Sequence, residues 1–349
     1  MSKTLKNLKA LRWFAGNKDR VALSRQVQGL IKEKGIVAGL QSFLHHHRHN
    51  FKQPVNQHFN QNDTTQVIIF SPERLRTFKE YSAYIVRNSV AIQNRTTFEN
   101  SFFSPEKKPF TIKGYSYPAQ ATVDFLVDYL YSDNVNINWR ERLVCPVTQL
   151  NNRLRATVHF LDIELQVNAD HNIYIAEQLT PLYNFLKRKY PQIVGSEYLG
   201  PDKLPGYVDK NGIRHEDATS LSFPNESLDL YLTFECLEHI PSFDKAFAEA
   251  FRVLKPGGKL FWSVPFTAES ETNTIRAMVK SDGAIEHLLE PEYHGDPVHG
   301  DKGILCYQYF GWEMFDRLIK LGFSDVYAIS FWSAELGYFS EQFLFCATK

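Results

Sequence analysis

Strand-like and helix-like hydrophobic segments alternate through the second half of this 349-residue chain, and this alternation restricts its fold more than any other feature. Runs such as NIYIA (172–176) and LDLYLTF (228–234) are separated by stretches with helical spacing such as PLYNFLKRK (181–189). Alternation of this kind predicts parallel strands with helices on both faces of the sheet. Because only a loop separates the last two strand runs, we expect those two to pair antiparallel at one edge. The sequence therefore predicts an α/β, doubly wound, mostly parallel sheet over residues 155–349.

The predicted elements of this region are short and closely spaced, as a doubly wound sheet requires. The predicted helices are 154–165, 181–189, 243–254 and 312–321, and the predicted strands are 172–176, 193–198, 228–234, 259–264, 324–331 and 342–348.

The first 154 residues lack this alternation and divide into two predicted regions. Residues 1–66 combine short amphipathic helices with an Asn/Gln-rich linker at 50–66, which has almost no aliphatic side chains to bury. Residues 67–154 form a predicted accessory domain. Its expected elements are a strand at 67–70, a helix over 73–89 opened by Pro72, and short strands at 110–112 and 122–127.

Charge is distributed unevenly although the whole chain is formally neutral. The first 50 residues hold ten Lys or Arg against Asp19 and Glu33, so the remainder carries a balancing negative charge. A run of this kind indicates either a solvated basic helix face or contact with an acidic partner, a lipid surface or nucleic acid. A histidine cluster follows at 45–49 without acidic or Cys co-ligands, and no functional metal site is predicted there.

The four cysteines, Cys145, Cys236, Cys306 and Cys346, are too scattered to predict a disulfide framework. The sequence has no run of about 18 apolar residues and no apolar N-terminal stretch with a cleavage site. These features predict a cytoplasmic protein with no transmembrane segment.

Three carboxylates stand where a ligand site is expected in such a sheet. Glu177 follows the strand NIYIA, Glu197 ends the next predicted strand with Tyr198 beside it, and Asp217 precedes the strand after that. Ligands of open parallel sheets bind outside the carboxyl ends of the strands. Glu197 also has the spacing of about 20 residues from the first strand at which a carboxylate grips a ribose diol.

Residues 217–266, DATSLSFPNESLDLYLTFECLEHIPSFDKAFAEAFRVLKPGGKLFWSVPF, closely resemble class I S-adenosylmethionine-dependent methyltransferases, in particular methyltransferase type 11-like domains. The shared features are the acid-Ala pair, the Phe-Pro turn, the Leu-Glu-His-Ile run and the Lys-Pro-Gly-Gly turn. The resemblance implies a Rossmann-like fold and S-adenosylmethionine as cofactor. It further implies that Asp217 with Ala218 lies at the adenine, Glu197 with Tyr198 at the ribose, and residues 235–239, beginning with Glu235, on the methyl-transfer side.

The segment after the first strand departs from that family. The family places alternating glycines after the acid, whereas this chain has Glu177, Gln178, Leu179, Thr180 and Pro181. Thr180 and Pro181 still predict a helix start, as N-cap and first helical residue, so Glu177, Gln178 and Thr180 are expected to border the cofactor. The missing glycines motivate an alternative, a non-catalytic interaction protein in which Leu179 or Gln178 fills the methionine site. They weigh more heavily against a nicotinamide-dependent oxidoreductase, which needs close backbone approach to a pyrophosphate.

Residues 138–156 resemble a linker of some bacterial methyltransferases that carries a zinc ribbon. Here Ser116 and Ala119 stand where a first cysteine pair is expected, and Cys145 is paired with Thr148. One thiolate does not make a structural zinc site. A ribbon without metal is therefore expected.

Residues 290–312 form the predicted loop richest in ionisable groups, including His294 and Asp296. Loops at this place cover the acceptor, and a histidine of near-neutral pKa could deprotonate a hydroxyl, so both are candidate catalytic residues. His239 is a third candidate, with the alternative role of anchoring a helix start near Pro241. Together these features predict a methyltransferase acting on an oxygen or nitrogen nucleophile of a small molecule or sugar, without a metal.

Overall fold

The computed structural model describes residues 55–57, 68–296, 298 and 300–349. Residues Asn56–Lys349 belong to one compact unit. The predicted basic helices, the histidine cluster and most of the predicted linker lie outside the described residues. Within the predicted linker, Val55–Gln57 is a short strand. The linker prediction is wrong at these residues, because the backbone of an Asn/Gln-rich segment still carries the donors and acceptors that form strand hydrogen bonds.

The described elements are named in chain order. The strands are β1 (Val55–Gln57), β2 (Ile68–Phe70), β3 (Glu73–Leu75), β4 (Phe110–Ser116), β5 (Ala121–Val127), β6 (Ile173–Ile175), β7 (Val194–Gly195), β8 (Leu228–Phe234), β9 (Leu254–Ser263), β10 (Thr274–Ile275), β11 (Ala277–Val279), β12 (Ile285–His287), β13 (Tyr293–Asp296), β14 (Gly300–Leu305), β15 (Gln308–Tyr309), β16 (Asp325–Ser333) and β17 (Tyr338–Thr348). The helices are α1 (Phe78–Asn100), α2 (Asn152–Ile163), α3 (Pro181–Lys189), α4 (Phe243–Val253) and α5 (Glu313–Leu321), with a 3₁₀ turn at Leu237–His239.

A seven-stranded sheet forms the centre of the fold, in the order β3-β16-β17-β9-β8-β6-β7. Strands β9, β8, β6 and β7 pair parallel, and β17 joins β9 antiparallel and β16 antiparallel. This confirms the predicted α/β, Rossmann-like sheet with antiparallel C-terminal strands. Successive side chains of β9 point to opposite faces of the sheet. Trp262 packs in the core that contains α4 and α5, and Phe261 packs in the core that contains α2 and α3.

The prediction of a helix over 73–89 is wrong at its start. Residues 73–75 are strand β3, which pairs antiparallel with β16 and buries Leu75. Helix α1 begins only after Thr77, whose hydroxyl accepts the backbone N–H of Glu80, and it continues to Asn100. Pro72 therefore precedes a strand, because the Thr77–Glu80 capping pair is the stronger helix-start signal. The predicted accessory region thus contributes an edge strand to the main sheet.

Strand order reverses beside β6, and this reversal positions the site. From β6 the chain passes through α3 to β7 on one side, whereas β8 and β9 lie on the other side. The crevice of a doubly wound sheet opens at such a reversal, outside the carboxyl ends of the two central strands. Helix α3 begins as predicted, with Thr180 as N-cap and Pro181 in its first turn.

Strands β4 and β5 form a hairpin whose far end holds Cys145 between hydroxyl groups. The Cys145 thiol is fully buried, and its burial acts to raise its pKa, but the polar groups of Ser116 and Thr148 beside it outweigh this and lower the pKa. Arg155, buried in α2, donates hydrogen bonds to the backbone carbonyls of Leu336 and Gly337 at 2.6 and 2.7 Å. The hairpin therefore packs on the main sheet around a buried guanidinium.

The predicted loop at 290–312 is largely a β-hairpin. Strands β13 and β14 pair antiparallel, with Asp296 opposite Gly300 and a register shift after His294. The Pro and Gly residues that predicted a loop lie around the turn and a bulge, where hairpins use them.

No helix among the described residues combines the length and the apolar character needed to cross a membrane.

Candidate functional site

Two carboxylates meet at the carboxyl ends of β6 and β7. Glu197 accepts the backbone N–H groups of Gln178 and Leu179 through Oε1, both at 2.7 Å, so it fixes the loop that follows β6. Glu177 lies in that loop with a buried Oε1 that has no hydrogen-bond partner. Burial raises the pKa of Glu177 to about 7, against a hydrogen bond from Thr180 and the charge of Arg153, which lower it.

Asp217 lies at the next position along the same edge. A parallel bridge between Glu197 and His215 adds a short extended segment beside β7, and Asp217 follows that segment. Asp217 Oδ1 accepts the backbone N–H and the hydroxyl of Thr219 at 2.8 and 2.7 Å. Tyr198 is exposed, with its ring 5.4 Å from the His215 ring. The structure thus gathers Glu177, Glu197 and Asp217 at consecutive strand ends.

Gln178 and Leu179 occupy the places where the family has glycines. The Gln178 side chain donates to the Gly212 carbonyl and accepts the Arg214 backbone N–H, both at 2.9 Å. Its amide therefore ties the loop after β6 to residues 212–214. The Leu179 side chain is 43% exposed.

Glu235 follows β8 directly, on the other side of the strand reversal. It has a left-handed backbone, with φ of 52°, and its carboxylate accepts the Ser263 hydroxyl at 2.7 Å. Arg140 donates to it from Nη1 at 2.9 Å and from Nη2 at 2.5 Å. Burial acts to raise the pKa of Glu235, but the charges of Arg140 and Arg153 outweigh it and lower the pKa to about 2. Sequence reasoning identified Glu235 and missed Arg140, which stands 95 residues earlier in the segment 138–156, where only a ribbon without metal was predicted.

A cavity of about 930 Å³ opens beside Glu235, between α1 and the ends of β9 and β17. Its walls combine aromatic rings with carboxylates, and residues of α1 form one side. Sequence reasoning missed this contribution of α1, because the helix was predicted only as part of an accessory domain. The lining residues are Phe78, Tyr81, Ser82, Ile85, Ile92, Arg140, Glu235, Val264, Pro265, Phe266, Ala268, Glu269, Glu292, His294, Tyr309, Ser340, Glu341, Gln342 and Phe343.

Two of the three predicted catalytic residues come together at the wall of this cavity. The rings of His239 and His294 are 4.9 Å apart and perpendicular, and His294 lines the cavity. His239 Nδ1 lies 2.8 Å from the Leu305 carbonyl, so His239 connects the 3₁₀ turn to β14. The third residue, Asp296, belongs to β13, and its side chain lies outside the described part of the chain.

Glu238 completes this group; the sequence analysis included it in the Leu-Glu-His-Ile run without giving it a role of its own. Its side chain is fully buried, and its Oε1 lies 3.7 Å from both His239 Nε2 and His294 Nδ1. Burial raises the pKa of Glu238, and the contact with Glu238 raises the pKa of His294. The available signal was the position of an acid between Leu237 and His239 in an otherwise apolar run.

Comparison with known proteins identifies the domain around this site. Residues 197–262 match a family model described as a methyltransferase domain. A 27-O-demethylrifamycin SV methyltransferase of Amycolatopsis mediterranei is 33% identical over 92 residues, which cover 25% of this chain and 34% of the relative. The chain thus matches about a third of the length of that curated relative.

Solved structures of similar chains were also found, at low identity. An S-adenosylmethionine-dependent methyltransferase from Mesorhizobium loti is 15% identical, with a TM-score of 0.36, and the match covers 56% of this chain and 100% of that one. One from Methanosarcina mazei is 17% identical, with a TM-score of 0.32, and the match covers 54% of this chain and 96% of that one. Residues 197–262 thus match a methyltransferase domain, and they lie in a sheet with the mostly parallel, doubly wound strand order predicted from the sequence.

Proposed function

We propose that this chain transfers a methyl group from S-adenosylmethionine to an oxygen or nitrogen nucleophile of a small molecule or sugar. The observation that carries the proposal is the position of Glu235. It follows β8 at the strand reversal, where the cofactor of such a sheet binds, and it also lines the 930 Å³ cavity. One residue therefore borders both the cofactor crevice and a space large enough for an acceptor.

The residues at the strand ends fit the cofactor. A buried carboxylate oxygen without a hydrogen-bond partner is costly, and Glu177 Oε1 is such an atom. An ammonium group satisfies it, so Glu177 is proposed to hold the amino group of the methionine part, with Gln178 and Thr180 beside it. Glu197 with Tyr198 is proposed at the ribose, and Asp217 with Ala218 at the adenine. S-adenosylmethionine, when bound, supplies an electrophilic methyl group on its sulfonium.

The cavity walls are proposed to position the acceptor. Aromatic rings of Phe78, Tyr81, Phe266 and Phe343 offer flat apolar faces, which suit a ring-shaped acceptor. Carboxylates of Glu269 and Glu341 lie among them and can accept hydrogen bonds from hydroxyl or amino groups. Holding the nucleophile in line and excluding water supplies most of the rate of such a transfer.

An oxygen acceptor has support from the curated relative, whose name places its methyl group on an oxygen of a rifamycin. The predicted catalytic histidine His294 lines the cavity. We therefore propose that His294 faces the reacting hydroxyl or amine, with His239 behind it.

Titration calorimetry of the full chain with S-adenosylhomocysteine tests the cofactor half of this proposal. Saturable binding at micromolar concentrations is expected, with loss of binding in Asp217→Asn. Absence of heat at high micromolar ligand would reject the enzyme and favour the non-catalytic alternative. That alternative is supported by the hydrogen bonds of Gln178 and Glu197, because they already pair polar groups of the loop after β6 with other protein groups and not with a ligand.

A further inference from the structure

Glu238 has an electrostatic environment that the methyl-transfer proposal does not explain. Its carboxylate is fully buried, and neither oxygen has a hydrogen-bond partner. The nearest nitrogens, on His239 and His294, are 3.7 Å from Oε1, which is beyond hydrogen-bond range. A buried carboxylate needs a compensating cation or donor, which either a protonated His294 or a metal ion between the three side chains supplies.

Both histidines are oriented to act as ligands. The Leu305 carbonyl lies 2.8 Å from His239 Nδ1 and can only accept, so it places the proton on Nδ1 and the lone pair on Nε2, the nitrogen nearer Glu238. For His294 the Glu292 carboxylate accepts from Nε2 at 3.1 Å, which leaves the lone pair on Nδ1, again the nitrogen nearer Glu238. A carbonyl or carboxylate behind each imidazole is the usual support of a metal-bound histidine.

The support behind His294 is itself fixed. Glu292 also accepts the Tyr309 hydroxyl through Oε1 at 2.5 Å, and Arg276 lies 3.0 Å from its Oε2. Glu292 therefore holds the imidazole of His294 in one orientation. A preorganised histidine of this kind is expected at a ligand position rather than at an incidental surface contact.

The three ligand atoms have metal-site spacing. They all lie within 4.8 Å of one another. Ligands about 2.1 Å from a tetrahedral ion stand about 3.4 Å apart. The two separations from Glu238 therefore need to shorten by about 0.3 Å, and the separation of the two histidine nitrogens, which is at most 4.8 Å, by up to about 1.4 Å. Two histidines and one carboxylate form a ligand set that binds zinc or another divalent transition metal and leaves coordination positions open. Because His294 lines the cavity, the open positions face the acceptor side.

We propose that Glu238, His239 and His294 bind one divalent transition-metal ion of the zinc type at the wall of the cavity. The open positions would take water or an oxygen of the acceptor. The site concerns side chains outside the proposed cofactor crevice, and its occupancy is measured without cofactor or acceptor. Failure of this proposal leaves the proposed methyl transfer in place, with His294 facing the acceptor directly. With the ion bound, both nitrogens of His294 are engaged, and it acts on the acceptor through the metal.

The test requires a background without the histidine run at 45–49, which would itself bind metal. The full chain with His45, His46, His47 and His49 replaced by Ala is titrated with Co²⁺, followed by visible absorption and calorimetry, and the Co²⁺ is then displaced with Zn²⁺. One equivalent is expected to bind. In this background Glu238→Gln and His294→Ala are expected to weaken binding more than about 100-fold, and Glu292→Gln about 10–100-fold.

Glu269→Gln is the matched control, because Glu269 lines the same cavity and lies outside the ligand set. It is expected to leave the affinity unchanged. Urea unfolding of each variant shows that it is folded. Absence of Co²⁺ and Zn²⁺ binding in the folded background protein, or equal binding in folded Glu238→Gln and His294→Ala, would overturn the proposal.

Discussion

Arg140 holds the Glu235 carboxylate with both terminal nitrogens, at 2.9 and 2.5 Å, and so joins the segment before α2 to the carboxyl end of β8. Only a guanidinium presents two parallel donors in this way, since a lysine is a single point charge. The pair lies at the boundary between the proposed cofactor crevice and the cavity. Its geometry therefore bears directly on methyl transfer.

Arg140→Lys keeps the charge and removes the second hydrogen bond. We expect the methyl-transfer rate to fall at least about tenfold, equivalent to about 1.4 kcal/mol in the barrier, with little change in the unfolding midpoint. Arg142→Lys is the control, because Arg142 pairs with Asp128 away from the cavity. Equal rates in the two variants would contradict a role for the Arg140–Glu235 pair.

Glu177→Gln separates cofactor binding from stability. Burial raises the folded-state pKa of Glu177 to about 7 from 4.5, so the folded protein retains a proton that the unfolded chain releases. This contribution to stability is present below pH 4.5 and is lost as the pH rises to 7. At pH 8 the ligand-free variant should therefore be more stable than the parent by about 1–3 kcal/mol, while its affinity for S-adenosylhomocysteine falls.

Urea unfolding at pH 8 and calorimetry measure the two effects of Glu177→Gln. Glu106→Gln serves as control, because Glu106 is an exposed carboxylate. If Glu177→Gln is less stable than its parent at pH 8, the ionised Glu177 carboxylate does not destabilise the ligand-free protein, and this prediction is wrong.

Gly195 allows β7 to approach α3 closely. A Cβ added at Gly195 would stand 2.4 Å from the Tyr183 ring and 2.7 Å from the Glu177 carbonyl oxygen. We expect Gly195→Ala to lower the free energy of unfolding by about 1–3 kcal/mol, because overpacked cores cost this much. Gly295→Ala, which has open space at its Cβ, should change it by less than about 0.5 kcal/mol. Denaturant unfolding of both variants decides the point.

His159 should make the fold sensitive to acid. It stacks between Tyr117 and Phe70, with ring distances of 3.8 and 5.0 Å, and burial lowers its pKa to about 3 from 6.5. Above pH 6.5 neither state binds this proton, and as the pH falls toward 3 only the unfolded chain does. Between pH 6.5 and 4.5 the loss should amount to about 2.3 kcal/mol.

His159→Asn should reduce that pH dependence of unfolding, and His287→Asn, at an exposed histidine, should not. Unfolding free energies measured at half-unit intervals between pH 4.5 and 7 give the slopes. An unchanged slope in His159→Asn would assign the acid sensitivity to other groups.

Local signals in the sequence were sufficient for the parallel half of the sheet. The predicted bounds of β8 and of α3 agree with the structure. Both elements have a local signal, which is a run of apolar residues for β8 and the adjacent Thr180 and Pro181 for the start of α3. Strand spacing alone placed Glu177, Glu197 and Asp217 at one edge. Their roles toward the cofactor remain proposals.

The rest of the site depends on contacts between distant segments. Arg140 reaches Glu235 from the segment before α2, and α1 closes a cavity whose other walls come from β9 and β17. No periodicity in the sequence reports such contacts. The hairpin of β13 and β14 was missed because its Gly and Pro residues are equally typical of a loop.

The edge position of β3 limits how far the N-terminus can be shortened without exposing a strand edge of the main sheet. Strand β3 occupies the backbone donors and acceptors of β16 that would otherwise be exposed, and bare strand edges template pairing between molecules. A truncated version designed around the methyltransferase motifs alone would expose that edge and would tend to aggregate. Expression boundaries for crystallisation or screening should therefore retain Glu73 and the residues that follow it.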